Sequence, residues 1–257
     1  MKFAIVEGCR REATPASRGE CPGCAAGVIA KCGTKKIWHW AHSSIRSCDY
    51  SWEPEKAWHR TWKNEFPAPW QEVRCIAADG ELHVADVKTE AGMVLEFQHS
   101  NISVVERSSR EGFYGNMVWL VDGTRLKKDL PNFQETIRSA PVLKEAPLSL
   151  LIHDRANQLV ERWAGSKRPV FVDFGGARPD LPFITDDEVL WRLQYVPGTN
   201  NVVATPVSRS SFVDHFRNNG RLRGYRLPRL RTNPSMYSDL RGFESRRRRK
   251  VGGRRRF

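Results

Sequence analysis

Two acidic residues and an amide have the spacing that brings side chains together on a β-hairpin. Between residues 81 and 99, apolar and polar residues alternate in two runs on either side of Gly92, which is typical of two antiparallel strands joined by a turn. With the turn centred just before Gly92, Asp86 lies opposite Glu96, and opposed residues point to the same side with Cβ atoms about 4.5 to 5.5 Å apart. Gln98 shares that face because side chains alternate along a strand. The pattern predicts two converging carboxylates.

Two carboxylates this close repel each other in a half-buried site unless a cation lies between them. A hard divalent ion with oxygen ligands is the usual solution, and Mg²⁺ or Mn²⁺ fits best. Such an ion lowers the pKa of a bound water and neutralises charge on a phosphoryl oxygen. We therefore interpret Asp86 and Glu96 as magnesium ligands of a metal-dependent phosphodiesterase.

A helix before the hairpin carries three further polar side chains on one face. Residues 53–66 stop at Pro67 and place Glu55, His59 and Lys63 four residues apart, which stacks them on successive turns. Glu55 or His59 could complete the metal shell or accept a proton from water, and Lys63 could stabilise the phosphate. The same spacing is common on a solvated helix face, so the helix supports a site only together with the hairpin.

The amino-terminal segment has the spacing of a structural zinc site. Cys21 and Cys24 form a CxxC pair, and His39 and His42 repeat the two-residue gap, which suits tetrahedral zinc with two thiolates and two imidazoles. Cys48 lies near enough in sequence to replace one histidine. A bound zinc would stabilise a segment of about 50 residues that has little core of its own. A redox CxxC, a disulfide or unligated thiols are the alternatives.

Taken in order, these strings resemble the competence protein CoiA-like family of the PD-(D/E)XK nuclease superfamily. The resemblance covers about residues 4–125 and consists of CPGC, HWAH, ExxxHxxxK, ADV and EFQHS, which begin at Cys21, His39, Glu55, Ala85 and Glu96. Glu106, Arg110 and Tyr114 at helical spacing, followed by a strand at 118–121, extend it. The resemblance implies an α/β fold whose nuclease-like core runs helix, antiparallel three-stranded meander, helix and strand, with catalytic positions at Asp86, Glu96 and Gln98.

One position departs from the wider superfamily, in which a lysine follows the second acid. Gln98 stands there, and its neutral amide can orient water but cannot supply positive charge to a transition state. Lys63 could supply that charge if its helix faces the strands. Arg110 and Tyr114 are candidates for contacts with the substrate backbone, or they form a structural pair.

Two other functions stay open beside a magnesium-dependent deoxyribonuclease. One is a protein that keeps the nuclease fold and handles DNA without cutting it, because CoiA-like proteins are associated with natural transformation. Recombination or DNA-uptake proteins would then be its partners. The other is RNA binding through the zinc module and the basic tail, since nothing in the sequence separates DNA from RNA.

The formal net charge of +13 is concentrated at the end of the chain. Residues 221–257 hold +12 of it, with thirteen arginines and Lys250 against two acidic residues. Few aliphatic residues accompany these charges, so the segment is predicted to be disordered. It would neutralise nucleic-acid phosphates, above all through its longest basic run, Arg246, Arg247, Arg248, Arg249 and Lys250. A solubilising end or a surface for acidic proteins is the alternative.

Three segments are therefore predicted: a zinc-ribbon-like module at 1–50, a nuclease-like core with an extension at 51–220, and an arginine-rich tail at 221–257. A length of 257 residues with 40% hydrophobic content is typical of a soluble globular protein. No run approaches the 18 apolar residues of a spanning helix and no signal peptide opens the sequence, so a cytoplasmic location is expected. Within the extension, strands are predicted at 170–174 and 189–195 and helices at 153–163 and 208–218.

Overall fold

The computed structural model of the protein describes residues 1–43, 56–77, 80–177, 181, 184 and 188–227. Within this part of the chain the protein is an α/β structure with two β-sheets. The smaller sheet is antiparallel and consists of β1 (Phe3–Val6), β2 (Cys9–Glu12), β3 (Arg18–Glu20), β4 (Gly27–Lys31) and β5 (His39–His42). Its strand order is β2-β1-β3-β4-β5, and it has a small core of its own around Trp40 and Val28.

The larger sheet has nine strands. They are β6 (Gln71–Ile76), β7 (Leu82–Lys88), β8 (Val94–Gln98), β9 (Met117–Asp122), β10 (Val142–Glu145), β11 (Leu148–His153), β12 (Val170–Asp173), β13 (Val189–Tyr195) and β14 (Asn201–Ser208). Their order is β10-β11-β14-β13-β12-β9-β8-β7-β6. The central strands β8, β9 and β12 are parallel, and the remaining neighbours are antiparallel.

Five α-helices cover this sheet in the described part of the chain: α1 (Ala57–Asn64), α2 (Val104–Tyr114), α3 (Asp129–Ser139), α4 (Gln158–Arg162) and α5 (Arg209–Asn218). Side-chain caps start three of them. Ser103 accepts from the Glu106 N–H at the start of α2, and Asn157 and Ser208 do the same for α4 and α5. None of these helices has the length and apolar composition that crossing a bilayer requires.

Alternation along the central strands separates two hydrophobic cores. Val94 and Trp119 belong to the core shared with α3 and α4, whereas their neighbours Leu95 and Leu120 belong to the core shared with α1 and α5. In the second core, Trp62 of α1 packs against Phe97 of β8 and Phe212 of α5. Because β8 contributes to both cores, it is buried over its whole length, and polar side chains on it are drawn into the interior.

The chain order α1, β6, β7, β8, α2, β9 is the predicted succession of helix, antiparallel three-stranded meander, helix and strand. Placement in the nuclease superfamily stays a prediction. The predicted strands at 170–174 and 189–195 are β12 and β13, and the predicted helix at 208–218 is α5. The helix predicted at 153–163 is shorter, because β11 runs to His153 and α4 starts only at Gln158.

The boundary predicted at residue 220 needs a correction. Arg223 accepts a hydrogen bond from Ser208, Gly224 forms a bridge with Val207, and the Leu227 N–H donates to Glu145. Tyr225 and Leu227 also pack against the larger core. Residues 221–227 are thus part of the fold, and only the segment after them, which lies outside the described residues, can act as the predicted tail. Residues 44–50 of the predicted zinc module also lie outside.

Candidate active site and metal cluster

The two predicted acids, Asp86 and Glu96, lie opposite each other at the end of the backbone pairing between β7 and β8. Val87 pairs with Leu95 and Lys88 with Val94, and the same register sets Asp86 opposite Glu96. At this point side chains replace the backbone ladder: the Asp86 N–H donates to Glu96 Oε1 at 3.3 Å, and the Phe97 N–H donates to Asp86 Oδ2 at 2.9 Å. Each carboxylate therefore reaches the backbone of the opposite strand. We call Asp86 and Glu96 the acidic pair.

Asp86 receives its cationic partners from α1. His59 Nε2 lies 2.8 Å and Lys63 Nζ 3.6 Å from Asp86 Oδ1. Burial by itself would raise the pKa of Asp86, but the charges of His59 and Lys63 and the hydrogen bond from Phe97 hold that pKa well below its usual range. Asp86 is therefore ionised at neutral pH. The predicted helix does face the strands.

Glu96 has the opposite electrostatics and lies deeper, with its side chain 2% exposed against 16% for Asp86. Arg110 of α2 donates to Glu96 Oε2 at 2.7 Å and also contacts Glu106 at 3.2 Å. Burial and the neighbouring charge of Asp86 nevertheless raise the pKa of Glu96 to about 8. Glu96 therefore holds a proton at neutral pH. A cation that bound both acids would replace that proton.

The acidic pair fits a divalent cation in the chemistry of its donors. Magnesium retains several waters and commonly uses only one or two protein carboxylates, which is what two hard oxygen donors offer. Within the described residues, however, no other histidine, cysteine or acid forms a compact three-ligand group with both of them, although His59 lies beside Asp86. The predicted contributor Glu55 lies outside that part of the chain. His59 Nδ1 is buried without a hydrogen-bond partner among the described residues.

Three other predicted residues line or support this region. The Gln98 side chain is buried at the end of β8 and donates to the Ser100 carbonyl at 3.1 Å. Arg110 binds the acidic pair through Glu96, which is a different contact from the predicted one with substrate. The Tyr114 ring packs edge-on against Phe113, and burial together with the charge of Glu96 raises its pKa. The tail residues Arg246, Arg247, Arg248, Arg249 and Lys250 lie outside the described residues.

Glu72 belongs to the site although no sequence motif contains it. Its Oε1 accepts from Lys63 Nζ at 2.9 Å and from the Lys2 N–H at 2.7 Å, and its Oε2 accepts from the Phe3 N–H at 3.2 Å. Burial by itself would raise the pKa of Glu72, but Lys63, the amino terminus and these hydrogen bonds lower it to about 2. The contact with Lys2 joins residues 70 positions apart, so only the folded chain reveals it.

Asp173 is a second residue that the sequence did not assign. The indole N–H groups of Trp58 and Trp62 both donate to Asp173 Oδ2 at 2.8 Å, and the Gly175 N–H donates to Oδ1 at 2.8 Å. This buried carboxylate at the end of β12 therefore fixes α1 on the sheet. Because α1 carries His59 and Lys63, Asp173 also orients the cationic side of the site.

A separate cluster lies in the smaller sheet. Ligand atoms of Cys21, Cys24 and His42 lie within 4.8 Å of one another, and Cys24 Sγ is 3.4 Å from His42 Nε2. Two thiols and an imidazole are a donor set that zinc prefers, so this metal cluster can hold an ion such as zinc. Burial and the amino-terminal charge lower the pKa of His42. A neutral imidazole is the form that binds metal.

The predicted fourth ligand, His39, is not in the metal cluster. Its Nδ1 lies 2.8 Å from the Ile37 carbonyl oxygen. His39 and His42 are the ends of one strand, and residues three apart on a strand point to opposite faces, so the two-residue gap that suits a turn cannot bring both to one ion here. Cys48, the alternative ligand, lies outside the described residues.

The comparisons with known proteins bear on this same segment. Residues 11–51 match the family model described as the N-terminal domain of competence protein CoiA. The match includes the whole metal cluster and supports the resemblance to the CoiA-like family. The searches of curated proteins and of solved structures return no match.

Proposed function

With its amino-terminal segment supporting the competence protein CoiA-like family, we propose that this protein is a competence-related, metal-dependent nuclease that hydrolyses phosphodiester bonds of DNA. The observation that carries this proposal is the acidic pair. Two acids bond across neighbouring strands, the buried Glu96 with a raised pKa and the partly exposed Asp86 with a lowered pKa, and three basic side chains contact them. Strongly perturbed pairs of this kind are typical of catalytic sites.

In this proposal Asp86 and Glu96 would hold the magnesium or manganese ion. Such an ion would supply an activated water and would neutralise charge on a phosphoryl oxygen. Gln98 orients the water, and His59, whose Nε2 lies 2.8 Å from Asp86 Oδ1, assists with the metal or the proton. Lys63, which lies 3.6 Å from Asp86, stabilises the phosphate and takes over the charge that the superfamily places at the position of Gln98.

Metal binding at the acidic pair would have to displace Arg110 from Glu96. Arg110 occupies one oxygen of Glu96, so a metal ion on Glu96 competes with this ion pair. An Arg110 side chain released from Glu96 would point a guanidinium toward a phosphate beside the same strand. Arg110 is therefore retained as a substrate-binding residue, together with the basic run Arg246–Lys250 of the tail. Tyr114 is assigned to packing.

The second candidate function is a non-cleaving protein that binds DNA in recombination or uptake. Two observations favour it: Gln98 replaces the lysine of the superfamily, and every carboxylate of the acidic pair already has a cationic partner from the chain itself. A site whose acids already have partners within the chain needs no metal for stability. DNA would then bind through arginines alone.

Incubating the purified chain with DNA and RNA tests both candidates. Linear and circular, single- and double-stranded substrates are combined with Mg²⁺, Mn²⁺ or EDTA. Asp86→Asn keeps the shape of the side chain but loses its charge, and we expect it to lower metal-dependent cleavage on the order of 100-fold or more. Asp214→Asn is the matched control, because Asp214 is exposed on α5 and contacts Asn218.

The outcomes separate the two functions. Cleavage of DNA that requires the metal, disappears in Asp86→Asn and persists in Asp214→Asn supports the nuclease. Salt-sensitive binding with no cleavage in any metal overturns it in favour of the binding protein. Cleavage that Asp86→Asn leaves intact would exclude the acidic pair as its source.

A further inference from the structure

The smaller sheet is connected to the acidic pair through a short series of hydrogen bonds. The N–H groups of Lys2, just before its first strand, and of Phe3, the first residue of that strand, donate to Glu72 at 2.7 and 3.2 Å. Glu72 in turn accepts from Lys63 Nζ at 2.9 Å, and the same Nζ lies 3.6 Å from Asp86 Oδ1. One carboxylate thus joins the backbone of one sheet to a cation in the site of the other.

Glu72 is held firmly in this place. Its side chain is only 12% exposed and carries full charge, which the surrounding donors make tolerable. Its backbone has φ +47°, in the left-handed region that residues with a Cβ rarely adopt. Such a conformation persists only where neighbouring contacts determine it. A strained residue therefore lies at the point where the two sheets meet.

The other end of the series reaches the metal cluster. The Cys21 thiol lies 3.6 Å from the Met1 sulfur, and Met1 exchanges two backbone hydrogen bonds with Trp40, at 2.9 and 3.2 Å. Trp40 is two residues before His42 on the same strand. An ion held by Cys21 and His42 would fix both neighbours of Met1, and Lys2 follows directly.

We propose that Glu72 is a positioning residue that couples the amino-terminal sheet, and the metal its cluster holds, to the placement of Lys63 beside Asp86. The role of Lys63 toward phosphate rests on the proposed function, but the coupling itself does not. Loss of the metal loosens Met1 and Lys2, Glu72 loses backbone donors, and Lys63 loses its fixed position. The zinc-type module is then a condition for an assembled active site as well as a fold-stabilising element.

Chemical labelling of Lys63 tests the coupling without any nuclease assay. The Lys63 side chain is only 4% exposed, so its reaction with acetic anhydride, mapped by mass spectrometry, reports on its burial and pairing. Exposed Lys167 serves as the internal reference. Metal-loaded protein, the same protein after chelation, Glu72→Gln and Glu72→Asp are compared. Thermal unfolding of each sample establishes that it is folded during labelling.

Glu65→Gln is the matched control. Glu65 ends α1 and pairs with Arg209 at 2.7 Å, so this variant also removes a carboxylate and an ion pair beside α1 without touching Lys63. We expect a several-fold faster labelling of Lys63 in Glu72→Gln, an intermediate rate in Glu72→Asp, and the rate of the unaltered chain in Glu65→Gln. Chelation should accelerate labelling in the unaltered chain and add little in Glu72→Gln.

Two results would overturn the coupling. One is an unchanged Lys63 rate in both Glu72 variants, and the other is an equal acceleration in Glu65→Gln, which would indicate general loosening of α1. If the chain cuts no DNA but shows the expected labelling pattern, the proposed function is rejected and the coupling is supported. If the chain cuts DNA but Lys63 labels at the same rate in every sample, only the coupling is rejected. If nuclease activity and the coupling are both supported, Glu72→Gln should lower kcat with little change in KM.

Discussion

At the residue scale, the two acids of the acidic pair ionise differently because they differ in both partners and depth: the Glu96 side chain is 2% exposed and that of Asp86 is 16% exposed. Burial raises the pKa of both acids, but Asp86 has His59 and Lys63 at its Oδ1, whereas Glu96 faces the charge of Asp86 with Arg110 as its cation. One proton therefore remains on the pair at neutral pH. Because of that proton, the free energy of unfolding should depend on pH in a way that can be measured without a catalytic assay.

Without metal, Glu96→Gln should become more stable relative to the unaltered chain as pH rises from 5 to 8. The unfolded carboxyl group titrates near pH 4.3, whereas the folded one keeps its proton up to about pH 8. Between these values the folded state binds more protons than the unfolded state, so the free energy of unfolding falls as pH rises. Glutamine does not titrate, and the difference should change by on the order of 1 to 3 kcal/mol.

Denaturant unfolding at several pH values in EDTA measures this difference. Asp86 and Glu72 are present in both proteins, so their own pH dependence largely cancels. Magnesium added above pH 8 should then stabilise the unaltered chain and leave Glu96→Gln unaffected, because ions that bind only the folded state raise its stability. A stability difference that is constant across this pH range would contradict the raised pKa of Glu96.

The opposition of the acidic pair could be predicted from the sequence because it depends only on a period of two and the position of one turn. Glu72 and Asp173 could not, because the partners that define their places are distant in sequence: Lys2 lies 70 residues before Glu72, and both indoles lie more than 110 residues before Asp173. The same limit explains His39. Its spacing from His42 is correct for a zinc turn, but a strand forms there and separates the two side chains.

At the element scale, α1 depends on the single carboxylate of Asp173. Asp173→Ala removes the acceptor of two indole N–H groups and of the Gly175 N–H, and buried donors without partners cost about 1 to 3 kcal/mol each. We expect the free energy of unfolding to fall by about 3 kcal/mol or more and the tryptophan emission to move to longer wavelength. Asp214→Asn should change neither quantity, and a fully stable Asp173→Ala would show that α1 is held by packing alone.

Strand alternation in β5 predicts that the two histidines differ in metal binding. His42→Ala should lower the zinc content and the zinc-dependent part of the thermal stability, because His42 lies in the metal cluster. His39→Ala should leave both unchanged, because His39 contacts the Ile37 carbonyl instead. Zinc released by a thiol reagent and quantified with a chromogenic chelator measures the content. An equal loss in both variants would restore the predicted four-ligand set.

Two of the elements that could not be predicted from the sequence contain prolines at tolerated positions. β14 lies between β11 and β13 yet carries Pro206, and a proline normally argues against a central strand. α3 carries Pro131 in its first turn, where the missing N–H has no helical acceptor in any case. β7, β8, β12 and β13 follow the plain periodicities and were predictable. The remaining elements depend on contacts with residues distant in sequence.

At the scale of the whole molecule, the charge of the last residues should add affinity without sequence preference. Residues 228–257 hold +9 of the formal net charge, whereas 221–227 pair with β14 and β10 through Arg223, Gly224 and Leu227. A chain ending at Leu227 should therefore keep its melting temperature. A chain ending at Gly220 should lose stability as well, because it removes the Tyr225 and Leu227 contacts with the core.

DNA-binding measurements distinguish the contribution of the tail from that of the folded part. An arginine-rich segment releases counterions, so the full chain should show a steep fall of affinity with salt, and the chain ending at Leu227 should show a shallower one with weaker binding at low salt. Fluorescence anisotropy of a labelled oligonucleotide in EDTA, at several salt concentrations, measures both. Equal salt slopes for the full chain and the Leu227 truncation would assign DNA contact to the folded part, where Arg110 beside the acidic pair is the first arginine to substitute.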